Sequence, residues 1–402
     1  MADNKDKKVL NVPALRFPEF TGEWKEERLD EIAELSKGVG ISKEQLSEDG
    51  EPCILYGELY TKYKSEIINE VISKTNIEAS KLKRSKKNDV IIPCSGETAI
   101  DIAVARCIPF GDILLGGDLN VISLHKDNSA FIAYQLNGKR KTDIAKLAQG
   151  VSVVHLYGEN LKTIKTYNPC LQEQQKIVRL LSILDERIST QNKIIEDLRL
   201  LRDAIMVEHY RKCNKSELYI YDIGEPFNVM NLSKDDLTKD GSPCIIYGEL
   251  FTTYGCVIEN VVSHTTESPN STLSTKGDLL FPASTTVDAL SLIAPSSINE
   301  DGIILGGDMF GIHVNEQYNS NYLSYYFNII GKKNLAKYAK GSTIIHLHYA
   351  DIQKAKITLP NKNEQETVAN LLLKVEHKLN IEQKMLINYL NTKNFLLRQM
   401  FI

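Results

Sequence analysis

Apolar positions between Leu171 and Lys212 recur on a seven-residue period. Ile177, Leu184, Gln191, Leu198 and Ile205 form one series. Leu180, Arg187, Ile194 and Leu201 follow it three residues on, and Leu181, Ile188 and Ile195 four residues on. The segment has no Gly or Pro and is rich in strong helix formers, so it predicts one long helix with an apolar seam. A second segment keeps the phase with Val368, Val375, Glu382, Tyr389 and Leu396, flanked by Leu371, Leu372, Leu379, Met385, Leu386 and Met400. Pro169 and Pro360 stand just before the two segments, where a helix start tolerates proline. About 40 residues at a rise of ~1.5 Å make a rod of about 60 Å. An antiparallel pairing within the chain is the simplest way to bury both seams. Gln191 and Glu382 sit mid-seam, where a polar residue costs stability and fixes register, and they are expected to lie near each other.

The rest of the chain carries a different pattern. Short β-rich runs (VIIPCS at 90–95, LNVISL at 119–124, DLLFP at 278–282, FGIHV at 310–314) alternate with turn signals and modest helices. These runs come in pairs. PCILYGELYTKY from Pro52 returns as PCIIYGELFTTY from Pro243, 191 positions later. Ser42-Lys43 matches Ser233-Lys234, Asp49-Gly50 matches Asp240-Gly241, and Glu173-Gln174 matches Glu364-Gln365. ILLGGDL (113–119) answers IILGGDM (303–309), and GVSVVHL (150–156) answers GSTIIHL (341–347). DVIIPCS at 89–95 meets DLLFPAS at 278–284, after which GET at 96–98 has no clean partner in TTV at 285–287.

The chain is thus one domain duplicated, with a shared scaffold and variable loops. The expected fold is α/β (α+β): an arm at 1–24, a domain at 25–168, a central helix at 169–215, a second domain at 216–359 and a final helix at 360–402. The two domains are expected to be separated by two long helices packed as an antiparallel coiled coil, in a pseudo-two-fold arrangement.

Composition narrows the function. The 402 residues have 42% hydrophobic and 25% charged residues, as a globular protein has. The first dozen residues are charged and lack a signal-peptide core, and no apolar run approaches a membrane span. The seven cysteines are scattered, with no C-x-x-C pair, so neither a disulfide framework nor a zinc site is expected and the chain reads as cytoplasmic. The net charge of −4 does not advertise a nucleic-acid binder, although KLKRSKK (81–87) and GKRKT (138–142) are local basic patches, each of which also reads as a solvated loop.

Catalytic motifs are missing. The chain has no Asn/Asp-Pro-Pro-aromatic methyltransferase motif, no glycine-rich cofactor loop, no G-x-x-x-x-G-K-[ST] and no G-x-S-x-G. His346-Leu347-His348 and its counterpart His155 read as satisfied structural histidines rather than metal ligands. Ser95, Gly96, Glu97 and Thr98 form a small loop whose copy, Ser284, Thr285 and Thr286, keeps the hydroxyls but loses the Glu. A catalytic Glu would be retained in both copies, so recognition is favoured. The repeated Tyr56-Gly57-Glu58-Leu59 reads as scaffold. Tyr60, Thr61 and Lys62, against Phe251, Thr252 and Thr253, are where the copies begin to differ.

The runs GSTIIHLHYADIQKAKITLP (341–360) and GVSVVHLYGENLKTIKTYNP, each followed by a Glu-Gln pair and a long helix, resemble the DNA-specificity subunit of type I restriction–modification enzymes. The opening PALRFPEFTGEWKEERLDEI is also similar, and the resemblance spans essentially the whole chain. It implies two target-recognition domains, each reading one half of a bipartite double-stranded DNA target, with the helices as spacer. DNA-binding candidates are then Tyr60, Thr61, Lys62, Lys83, Arg84, Ser95, Gly96, Glu97, Thr98, Phe251, Thr252, Thr253, Ser284, Thr285 and Thr286. Helix packing falls to Ile177, Leu184, Gln191, Leu198, Val368, Val375, Glu382 and Tyr389. The resemblance further implies no catalysis and no cofactor in this chain. Two modification subunits would bind S-adenosylmethionine, and two restriction subunits would bring ATP and Mg. The net acidity departs from a simple DNA binder and implies weak binding without those partners. The rival expectation is a non-catalytic two-headed scaffold that does not bind DNA.

Overall fold

The computed structural model describes residues 10–266 and 271–402, so residues 1–9 of the arm lie outside the described residues. The chain forms two units: unit 1 is Met1–Asn192 with Lys384–Ile402, and unit 2 is Lys193–Gln383.

In unit 1 the strands Ala33–Lys37, Leu119–Leu124, Asp89–Pro93 and Arg106–Ile108 form an antiparallel sheet in that spatial order. A second sheet runs Leu46–Ser47, Ser73–Thr75, Glu51–Ile54, Leu114–Leu115 and Lys83–Arg84, with one parallel pairing between Glu51–Ile54 and Leu114–Leu115. Lys25–Arg28 pairs antiparallel with Lys165–Asn168 and closes the domain where the long helix leaves it. Trp24 of the arm is buried in this unit's core, edge-on to Phe131 at 5.8 Å and to Phe401 at 6.4 Å.

Unit 2 repeats the order. Gly224–Asn228, Met309–Val314, Asp278–Pro282 and Ser296–Ile298 form the first sheet, extended by Val257–Ile258. Leu237–Thr238, Ser263–Thr265, Ser242–Ile246, Ile304–Gly306 and Thr272–Leu273 form the second, and Ser216–Tyr219 pairs with Lys356–Leu359. The mainly apolar runs DLLFP and LNVISL are buried strands in the middle of their sheets.

The long helices are Leu171–Lys212, of 42 residues, and Lys362–Gln399, of 38. In unit 1, Ile177 and Leu181 share a core with Leu397 and Met400, and Asp185 meets Lys393. In unit 2, Met206 shares a core with Val368 and Leu372, and Arg202 meets Glu376. The two helices therefore run antiparallel in each unit. Of the two series flanking the seam, the structure buries the one four residues on: Leu181, Ile195, Leu372 and Leu379 are buried. Ile194, Leu201, Leu371 and Met385, three residues on, are exposed. Ile177, Gln191, Val368 and Glu382 are buried in their own seams, and Leu184, Leu198, Val375 and Tyr389 are half-buried. Lys378 pairs with Glu382 one turn away.

The repeated Glu-Gln pair has a mechanical explanation. The side-chain oxygen of Gln174 accepts from the backbone N–H of Asn128 at 2.8 Å, and its amide donates to the Pro169 carbonyl at 3.0 Å. Gln365 does the same with Asn319 at 2.9 Å and Pro360 at 2.8 Å. Asn128 and Asn319 in turn cap the helices Ser129–Asn137 and Ser320–Ile329. Each long helix is thereby pinned to a helix of the domain it leaves.

Candidate nucleic-acid interface

The repeated Tyr-Gly-Glu-Leu phrase is scaffold for a visible reason. The Glu58 carboxylate is buried and accepts from the Leu55 N–H at 2.9 Å, from the Lys62 ammonium at 2.6 Å and from the Ser73 hydroxyl. Glu249 repeats this with the Ile246 N–H at 3.0 Å and the Ser263 hydroxyl at 2.5 Å. Lys62, although exposed, is tied into that network. Its copy Thr253 is not a cation, so unit 2 satisfies its buried carboxylate without one. Thr61 and Thr252 spend their hydroxyls on the carbonyls of Gly57 and Gly248, and Phe251 is exposed at the surface.

Tyr60 links two of the candidate segments. Side-chain atoms placed at Gly57 or Gly96 would meet its hydroxyl at 3.6 and 3.7 Å, so the ring lies across both glycines. Burial, and after it the neighbouring Tyr56, Glu97 and Asp101, push the Tyr60 hydroxyl above the ordinary phenol range. Ser95–Gly96 forms a short antiparallel ladder with Val154–His155, and Ser284–Thr285 forms the same ladder with Ile345–His346. Ser95 is buried and donates to Asp118 at 3.0 Å. Thr98 caps Ala99–Ile102, and Asp288 caps Ala289–Leu292. Between the aligned Ser and the aligned cap there are two residues in unit 1 (Gly96 and Glu97) and three in unit 2 (Thr285, Thr286 and Val287). This single insertion explains why GET has no clean partner in TTV.

The ladder corrects the reading of the histidines. Val154 and Leu156 are buried, so strand alternation turns His155 outward, where it is exposed and stacks on Tyr157 at 6.2 Å. His346 is half-buried and His348 exposed, stacked on one another at 6.1 Å. None lies in the core, although His348 keeps a structural part as the cap of Tyr349–Ile352, its backbone N–H donating to Asp351 at 3.2 Å. The glycine that precedes each ladder is required: Gly150 and Gly341 have φ of 120° and 118°, and a side chain there would lie 2.2 and 2.0 Å from the carbonyl oxygens of Val153 and Ile344.

Lys37 lies over the Tyr157 ring at 5.9 Å. A contact chain therefore runs from Lys37 through Tyr157 and His155, past buried Ser95, to Glu97 and half-buried Tyr60, and its outward-facing members form a strip on unit 1. The counterparts on unit 2 are Asn228, His348, His346, Thr285–Thr286 and Phe251. Lys37, His155 and Tyr157 were not among the candidates drawn from the sequence. The signal that could have found them is the alternation of HLY behind a glycine kept in both copies, which faces every second residue outward.

Each basic patch is part loop and part regular structure, with Lys83–Arg84 a short strand and Lys141 opening a helix after the turn at 138–140, and neither belongs to this strip. Lys83 and Arg84 form the edge strand of the second sheet, where Arg84 pairs with Glu51 at 2.6 Å and donates to the Asp112 carbonyl. Arg140 stacks over Tyr167, pairs with Asp143 at 3.2 Å and donates to the Ile402 carbonyl at 2.7 Å. Arg84 and Arg140 are thus spent on the fold. No described helix is long and apolar enough to cross a membrane.

The comparisons agree with this geometry. The model of the type I restriction modification DNA specificity domain matches residues 21–200 and again 220–391. The chain is 23% identical to the type I restriction enzyme MjaVIII specificity subunit of Methanocaldococcus jannaschii, over 94% of this chain and 92% of that one. It is 29% identical, over 43% of each chain, to the putative type I restriction enzyme specificity subunit S.HindORF215P of Haemophilus influenzae. Among solved structures, the S subunit of a type I restriction-modification system from M. genitalium superposes with a TM-score of 0.63 at 17% identity, covering 97% of this chain and 99% of that one. A chain solved in work on complex assembly and conformational transition of the type I R-M system gives 0.52 at 14% identity, covering 94% and 97%. With two matches that together cover most of its length, the chain belongs to the type I restriction modification DNA specificity family.

Proposed function

We propose that this chain is the DNA-reading, non-catalytic subunit of a type I restriction–modification assembly, in which each unit reads one half of a bipartite double-stranded target. The long helices set the separation of the two halves and dock two modification subunits. Those subunits bind S-adenosylmethionine, and two restriction subunits supply the ATP- and Mg-dependent steps. The complex works in the cytoplasm. The observation that carries this reading is the pair of strips: one scaffold, duplicated, presents two surfaces of the same placement and different chemistry. Aromatic rings and imidazoles alternate with small hydroxyls and few charges there, a composition suited to base edges rather than to phosphate alone.

The test is an exchange of residues 216–359 for the corresponding domain of another specificity subunit, followed by mapping of the methylated motif made by the assembled enzyme. One half of the motif should change and the other remain. An unchanged motif would mean that unit 2 does not read DNA, as a two-headed scaffold would not.

A further inference from the structure

Glu97 is the only carboxylate on the unit 1 strip that is presented outward without a partner. Its loop is fixed at both ends, by the Ser95–His155 pairing with the Ser95–Asp118 bond on one side and by the Thr98 cap on the other. The loop is also pressed inward. A side chain at Gly96 would lie 2.5 Å from the Ile102 methyl, so only glycine fits. With Gly96 held against the core, Glu97 projects outward. It is exposed and makes no hydrogen bond or ion pair among the described residues. A carboxylate is an acceptor only, and this one is held at a rigid tip beside Tyr60.

In the major groove, such a group meets four edge patterns. Guanine offers the acceptors N7 and O6, which repel it. Thymine offers the acceptor O4. Adenine offers its amino group beside the N7 acceptor. Cytosine offers its N4 amino group with no adjacent acceptor. We propose that Glu97 specifies a cytosine in the half-site read by unit 1, by accepting from the N4 amino group and by repelling the acceptor edges of the other bases. The proposal rests on the reading that unit 1 contacts DNA. Unit 2 has no such device: Thr285 and Thr286 stand in the corresponding loop, and a hydroxyl donates or accepts as required. The half-site of unit 2 is therefore read without a carboxylate at this place.

The experiment uses the assembled enzyme and its mapped target. Each base pair of the half-site that depends on residues 25–168 is replaced in turn, and competition binding is measured for the wild type, Glu97→Gln and Glu97→Ala. The wild type should prefer cytosine at one position by about 5- to 150-fold, the range for a good base contact. Both variants should lose that preference at that position alone and keep the other half-site unchanged. Full retention of discrimination by both variants overturns the proposal, and so does a uniform loss at every position. Because Glu97 has no structural partner, the variants should melt with the wild type, which separates a lost contact from a lost fold. An exchange of residues 25–168 serves as the second arm. If the motif survives that exchange, the DNA-reading role of unit 1 fails. If the motif changes but Glu97→Gln discriminates as before, only the role of Glu97 fails.

Discussion

The two units hold their long helices with the same lock built from different charges. In unit 2, Arg202 of the first helix meets Glu376 of the second at 3.3 Å. In unit 1 the polarity is reversed, with Asp185 on the first helix and Lys393 on the second, 2.5 Å apart. The repeat explains the reversal, because position 185 corresponds to 376 and 202 to 393, so each acid belongs to its own copy. Unit 1 then adds a second pair. Glu66 also meets Lys393, at 2.5 Å, and buried Arg106 lies within range of both acids while donating to the Tyr63 carbonyl. Tyr134 and Ser65 complete the shell of Asp185 at 2.7 and 3.0 Å. In unit 2, Cys256 and Ser296 stand where Glu66 and Arg106 do, since the N–H of Ser297 bonds the Cys256 carbonyl as that of Cys107 bonds the Glu66 carbonyl, and the Tyr325 hydroxyl, which matches Tyr134, is buried with no partner. An acid and a cation have been gained or lost together, which keeps the buried cluster neutral. Desolvated charges are tolerated in balanced sets and are costly when unbalanced.

The comparison can be broken most severely at Lys393. Lys393→Met should destabilise unit 1 by about 3–5 kcal/mol, because it leaves two buried carboxylates against one cation. The check is thermal unfolding of the full chain. Arg202→Met should cost less, since it strands one buried acid, Glu376, while Asp203, its other partner, stays largely solvated. The double change Glu66→Cys with Arg106→Ser, which writes the unit 2 solution into unit 1, should cost less than either single change, with a coupling of at least ~0.5 kcal/mol. Additive losses would show that the two charges are not one network.

A smaller effect distinguishes the units at high pH. Burial disfavours the Lys393 ammonium, but Glu66 and Asp185 outweigh it and hold the proton above the ordinary value of 10.5. The stability this supplies is complete below that value and is lost as the pH rises through the folded one. Arg202 stays charged throughout. Alkaline unfolding followed by circular dichroism should therefore begin in unit 1, and Lys393→Arg should move its onset upward. An onset unmoved by Lys393→Arg would count against the lock.

Much of this fold is legible in the sequence wherever one period dominates. LNVISL and DLLFP are strands because nothing else buries so short and mainly apolar a run. The helix Leu171–Lys212 follows from its seven-residue pattern and its lack of breakers. The choice of face was harder to see, because Ile194 and Leu201 are as apolar as Leu181 and Ile195, and only packing against the domain decides between them. Lys393 was invisible for the opposite reason: a charge in a seam reads as solvated until its acids arrive from positions 66 and 185. The site was partly legible. The Ser95–Thr98 loop and Tyr60 are brought together, whereas Arg84, chosen for its charge, is held by Glu51. Lys37 and Tyr157 come from segments 120 residues apart, and no local pattern joins them.

The central claim is that each unit reads its own half of the target, and making the two units alike tests it most directly. Residues 216–359 would be replaced by a second copy of 25–168, and the methylated motif of the assembled enzyme mapped. The account predicts a motif in which the half-site of unit 1 appears twice and that of unit 2 is gone. A motif identical to that of the unaltered enzyme would contradict it.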